Sequence, residues 1–135
     1  MQHSPAQQDA PPIVGVIDPD PVARNGLSTL LRGLGIDVAT YDCAESFLLA
    51  VGGRHFGCLI VDLLLPGMSG LELLRRLRSA GSDVPVILLA DESDVPTAVA
   101  AMREGATDFI EKPYVDVAVM KQVQKLLRNP PTAYA

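Results

Sequence analysis

The sequence predicts an α/β fold, a doubly wound domain whose five-stranded parallel sheet carries helices on both faces. Three observations lead there. Short solid apolar runs alternate five times with longer amphipathic stretches, the mark of strands buried on both faces and separated by helices. The 135 residues are 48% hydrophobic and 20% charged, enough for one core and too few for a second domain. Parallel neighbours also need crossover connections, which the amphipathic stretches supply with right-handed geometry.

Each element has a local cause. Ile13 to Ile17 is the first strand, closed by Asp18-Pro19-Asp20-Pro21. Asp20 there can cap a helix that takes Pro21 at its first position and runs to about Gly33. Ile36 to Tyr41 alternates more and is expected at an edge. The stretch Asp42-Cys43-Ala44-Glu45 then opens a helix in the manner of a capping box, ending at Gly52-Gly53. Cys58 to Val61 is the third strand, ending at Asp62. Leu63 to Met68 is a loop turned by Pro66-Gly67, and Ser69-Gly70-Leu71-Glu72 caps the next helix. In that helix Leu71, Leu74 and Leu77 form an apolar stripe, with Arg75, Arg76 and Arg78 expected on a solvated face. Val84 to Leu89 is the fourth strand. Ser93 or Asp94 starts a helix to about Gly105, Asp108 to Ile110 lie in the fifth strand, and Tyr114 to Arg128 form the last helix before Asn129-Pro130-Pro131 stops it. Residues 1–11 are expected to be a disordered tail, 12–128 the folded domain, and 129–135 a tail or the start of a linker.

The net charge of -5 leaves no electrostatic footprint for nucleic acid or an anionic membrane, so direct DNA binding by this domain is disfavoured. No apolar run approaches the roughly 18 residues of a membrane span. Cys43 and Cys58 lack the spacing of a zinc site or disulfide framework and are expected as buried free thiols in a reducing cytosol. Met102 and Met120 are expected as core residues, and His3 and His55 as exposed and inert. No P-loop or dinucleotide glycine pattern occurs.

In a doubly wound sheet, ligands sit beyond the carboxyl ends of the strands where the strand order reverses. Those ends carry Asp18, Asp62, Ala90 and Lys112. With strand order 2-1-3-4-5, Asp18 and Asp62 face each other and need a counter-charge, from Lys112 or a divalent cation. Few fixed oxygen ligands suit Mg²⁺, which keeps several waters and shares its shell with phosphoryl oxygens. The chemistry suggested is phosphoryl transfer onto a carboxylate.

The segments VIDPDP, VDLLLPGMSGLELL, VPVILLA and GATDFIEKPY complete a pattern. From about Pro12 to Arg128 the chain resembles the receiver domains of two-component response regulators, with their flavodoxin-like, CheY-like fold, and among them those of FixJ-type transcription factors. The resemblance implies that Asp62 is the phosphoacceptor, taking its phosphoryl group from a histidine kinase or phosphotransfer protein in a cytoplasmic phosphorelay. It implies a signalling domain rather than an enzyme. Asp18, Asp62 and the Leu64 carbonyl would hold Mg²⁺, and Lys112 would pair with the phosphoryl group. It further implies a cis Lys112-Pro113 bond, switch positions at Ala90 and Phe109, and possible homodimer formation through the last two helices.

Two positions depart from that family. Pro19 stands where receivers carry a second acid that binds the metal directly, which should weaken Mg²⁺ binding. Asp20 is better placed as a helix cap than as its replacement. Ala90 stands where receivers carry Ser or Thr, and a methyl cannot donate the hydrogen bond that couples the phosphoryl group to the following loop. Asp91-Glu92 is expected to be a solvated acidic loop. Two rival readings stay open: a receiver that binds its partner without phosphorylation, satisfied by an Asp62–Lys112 ion pair, and a haloacid-dehalogenase-like phosphatase with Asp18 as nucleophile and Asp20 as general acid. The second would need a further strand ending in acidic residues after the lysine.

Overall fold

The computed structural model describes residues 11–128. The expected tails at 1–11 and 129–135 therefore fall almost wholly outside the described residues. The elements are β1 (Ile13–Ile17), α1 (Pro21–Gly33), β2 (Asp37–Tyr41), α2 (Ala44–Ala50), β3 (Phe56–Asp62), α3 (Gly70–Ser79), β4 (Val86–Ala90), a 3-10 turn (Glu92–Asp94), α4 (Val95–Arg103), β5 (Asp108–Glu111) and α5 (Asp116–Arg128). The sheet has the expected order β2-β1-β3-β4-β5, and every pair is parallel.

Alternation along the strands feeds two apolar layers. Cys58 and Ile60 of β3 join Val14, Val16, Ile87 and Leu89 beneath Leu27 and Leu31 of α1 and Val119 and Val123 of α5. Leu59 and Val61 point the other way, with Leu88, to meet Phe47 of α2, Leu73 and Leu74 of α3, and Ala98 and Ala101 of α4. Fixing β1, β3 and β4 between these layers fixes the level at which their carboxyl ends emerge.

The caps behave largely as the sequence dictates. Asp20 accepts a hydrogen bond from the Val22 amide, and Ser69 and Glu72 form a reciprocal capping box on α3. At α2 the expectation needs correction. Cys43 is the cap, its Sγ taking the Ser46 amide at 3.4 Å, so this thiol is half-buried rather than core. Glu45 does not close a box; its Oε2 accepts from the Met68 amide, 2.8 Å away and 23 positions along the chain. The helix stops at Ala50, short of Gly52-Gly53.

Other boundaries shift modestly. β3 begins at Phe56 and includes Asp62, β4 runs Val86–Ala90, and α5 begins at Asp116, whose acidic side chain suits the positive end of a helix. Met102 is an exposed side chain of α4 and not a core residue. Burial pushes the Cys58 thiol up to about 12, leaving it inert. The arginines of α3 are not simply solvated. Arg75 grips both oxygens of Glu104 at 2.6 and 2.9 Å, while Arg78 donates to the carbonyls of Gly105 and Ser82, tying α3 to the turn before β5.

Candidate functional site

Ile17 of β1 is in register with Val61 of β3, so the residues that follow them, Asp18 and Asp62, leave neighbouring strands at one level. Both are nearly sealed from solvent, at 1% and 5% exposure. Lys112 arrives from the far edge because its amide donates to the Ala90 carbonyl at 2.8 Å, continuing the β4–β5 ladder by one bond. Its Nζ then reaches Asp62 Oδ2 at 2.6 Å. The three side chains expected to converge do so, and the Lys112–Pro113 bond is cis.

The two carboxylates differ. Asp62 Oδ1 accepts from the Leu64 amide at 3.0 Å and Oδ2 from Lys112, so each oxygen has a partner. Asp18 Oδ1 accepts from the Asp20 amide at 2.9 Å, but Oδ2 is buried with none. Burial pushes the Asp18 carboxyl above its usual value; the Asp20 amide opposes that shift and the negative charge of Asp62 adds to it. Burial works against the charge on Lys112, yet its hydrogen bond to Asp62 and the charges of Asp62, Asp18 and Asp91 outweigh it and hold its pKa up.

The remaining candidates sit around this centre. Leu64 is an exposed side chain whose amide, not its apolar group, serves Asp62. Ala90 is buried at the end of β4 and offers only its carbonyl, to Lys112. Phe109 lies partly buried against the layer under α2, α3 and α4. Asp20 is committed to its cap. Asp91 and Glu92 are exposed, as expected of a solvated loop, though the charge of Asp91 does reach Lys112. Tyr114 was not singled out from sequence; burial and then the charge of Asp18 raise its phenol, which places it in the field of the pocket.

An orphaned, buried carboxylate oxygen beside a second carboxylate fits a small hard cation such as Mg²⁺. The donor set is sparse: among the described residues no group of three or more His, Cys, Asp or Glu side chains is arranged to hold a metal. Also among the described residues, no strand follows Lys112, so the acidic strand end that a haloacid-dehalogenase-like phosphatase needs is not there. No helix among the described residues is long and apolar enough to cross a membrane.

A doubly wound sheet that gathers two aspartates and a lysine at its order reversal defines an α/β domain of the CheY-like class. The family model of the response regulator receiver domain matches residues 14–124, and the chain belongs to that family. It is similar to the transcriptional regulatory protein FixJ of Bradyrhizobium diazoefficiens, 40% identical over 114 residues, covering 84% of this chain and 56% of FixJ. The C4-dicarboxylate transport transcriptional regulatory protein DctD of Pseudomonas aeruginosa is 42% identical over 119 residues, 88% of this chain and 26% of DctD. Among solved structures, full-length FixJ from B. japonicum superposes with a TM-score of 0.82 at 38% identity, covering 88% of this chain and 60% of that one. The chain spans about half the length of the first curated relatives it matches. It is thus a receiver domain of two-component signalling, and the phosphatase alternative falls.

Proposed function

We propose that Asp62 accepts a phosphoryl group from a phosphohistidine on a histidine kinase or phosphotransfer protein. The observation that carries this is the Lys112 ammonium 2.6 Å from Asp62 Oδ2, beside an Asp18 oxygen that no protein group satisfies. Such crowding of like charge is costly unless a ligand uses it. In the step, an Asp62 oxygen attacks phosphorus and the P–N bond breaks. Its electron pair returns to the imidazole nitrogen, and an acyl phosphate stays on Asp62. Lys112 passes from the carboxylate to a phosphoryl oxygen, and the Leu64 amide holds the carbonyl end of the new anhydride. Asp18 and Asp62, with the Leu64 carbonyl, would hold Mg²⁺, which when bound offsets the charge of the transferring group.

The functional unit runs over residues 12–128, acts in the cytoplasm and, by likeness to the transcriptional regulatory relatives, serves a longer regulator whose output lies elsewhere. Its partners are the phosphodonor protein and, through α4 and α5, a second copy. The rival reading, a receiver that binds a partner without being phosphorylated, draws support from the Asp62–Lys112 ion pair, which satisfies both groups by itself, and from Ala90, which offers no hydroxyl. Incubation with a small acyl-phosphate donor and millimolar Mg²⁺ separates them by intact mass. One labile phosphoryl adduct, lost in Asp62→Ala, is expected; no adduct on the wild type leaves the rival standing.

A further inference from the structure

The β1–α1 turn must hold the Asp18 carboxylate with unusually little help. Pro19 contributes neither an acid nor an amide donor, and the one bond to the carboxylate comes from the Asp20 amide. The carbonyls of Asp18 and Pro19 lie beyond the sheet ladder, which ends at Ile17. Both are taken by a single group. Arg24, one turn into α1, donates Nη1 to the Asp18 carbonyl at 2.8 Å and to the Pro19 carbonyl at 3.2 Å. The Asp18 amide is fixed from the other side by the Tyr41 carbonyl at 3.0 Å. The peptide units on both sides of Asp18 are therefore pinned, from β2 and from α1, while its Oδ2 stays buried and unpaired.

We propose that Arg24 is a positioning residue for the acidic pocket, its guanidinium clamping the Asp18 and Pro19 carbonyls so that the Asp18 carboxylate stays aimed beside Asp62. This rests on the reading of the pocket as a Mg²⁺-assisted phosphoacceptor site. The clamp substitutes shape for the missing ligand: with one carboxylate fewer, the cation depends more on the aim of those left. Arg24 acts on the main chain, since its guanidinium meets two carbonyls and no carboxylate.

The same helix supplies a matched control. Arg32 also lends its guanidinium to a backbone carbonyl, that of Val38 at 2.9 Å, but at the opposite end of α1. The test titrates Mg²⁺ into wild type, Arg24→Ala, Arg24→Lys and Arg32→Ala and follows the Mg²⁺-dependent rise in unfolding temperature, with intact-mass detection of the acyl phosphate in parallel. Arg24→Ala should weaken Mg²⁺ affinity by about tenfold, as loss of a group that orients a metal ligand does. Arg24→Lys, which keeps the charge on a shorter side chain whose nitrogen stops short of the Nη1 position, should fall between, and Arg32→Ala should match wild type. Equal affinity in Arg24→Ala and wild type, or equal weakening in Arg32→Ala, overturns the clamp. If Arg24→Ala does not fold, Arg24→Lys decides, and wild-type affinity there overturns it as well. A wild type that shows neither a Mg²⁺ response nor an adduct has a different signature, flat in all four proteins, and brings down the function together with the clamp.

Discussion

The β1–α1 and β3–α3 turns each deliver one buried aspartate to the same pocket from adjacent, in-register strands, yet they leave the two in opposite conditions. Asp62 has an amide on one oxygen and an ammonium on the other. Asp18 has an amide on one oxygen and nothing on the other. Depth does not separate them; the neighbours do. The lysine that follows β5 bonds only Asp62, so the pocket keeps unspent binding capacity on the side of Asp18. That side is where a cation would be held most strongly by what it relieves.

The largest test of this asymmetry removes the cation the protein already has. Lys112→Ala leaves two neighbouring carboxylates without a counter-charge. It should lower stability by about 2 to 3 kcal/mol at neutral pH, at or below the foot of the ~3 to 5 kcal/mol range for breaking a buried pair because Lys112 is partly exposed; urea unfolding checks it. A stability equal to wild type would mean the two aspartates already share a proton or another counter-charge.

Asp18→Asn should act in the opposite direction. The raised carboxyl of Asp18 means that folding favours its protonated form relative to the unfolded chain, so its contribution is fully present below the unfolded value and is lost as pH rises through the higher folded value. At pH 7 the ionised group is a cost, and the amide should raise the unfolding temperature of the metal-free protein. That gain should shrink near pH 4 and under saturating Mg²⁺. A loss at pH 7 would show that Oδ2 is better satisfied than its surroundings indicate.

The smallest effect concerns the other turn. Glu45→Gln removes the anion that holds the Met68 amide, and hydrogen exchange at Met68 should quicken while the Asp20 amide keeps its wild-type rate. The carboxyl of Glu45 lies below its usual value, chiefly through that amide bond, so the tie is intact above the unfolded value and fades as pH falls through the folded one. Exchange at Met68 in the wild type should follow that acid limb, and a flat profile would detach Glu45 from the β3–α3 turn.

Much of this site was legible because its residues sit where the polarity of the chain changes abruptly. Asp18, Asp62 and Lys112 each follow a run that fills a strand, and a sheet wound in this order delivers such positions to one rim. Caps were legible at Asp20 and Ser69 because their partners lie two or three positions away. What could not be read depends on distance in the chain. Glu45 looked like a cap of its own helix, and only the folded backbone brings the Met68 amide to it. Arg24 carries no local signal, since its partners are carbonyls that every residue owns. Arg75 and Arg78 looked solvated because Glu104 and the Gly105 carbonyl come from another helix and turn. Tyr114 joins the field of the pocket only through the path of the segment between β5 and α5.

One close approach gives the pocket its mechanics. A Cβ built on Gly70 would lie 2.6 Å from the Asp62 carbonyl oxygen and 2.9 Å from the Leu63 Cα, so the first residue of α3 rests directly on the peptide that carries the aspartate. No side chain cushions that joint, and no rotamer change can take up slack there. Any side chain at position 70 would have to displace the peptide that carries the aspartate, so the Asp62 main chain and α3 are seated as one piece, with α3 joined in turn to the end of α4 through Arg75 and Glu104.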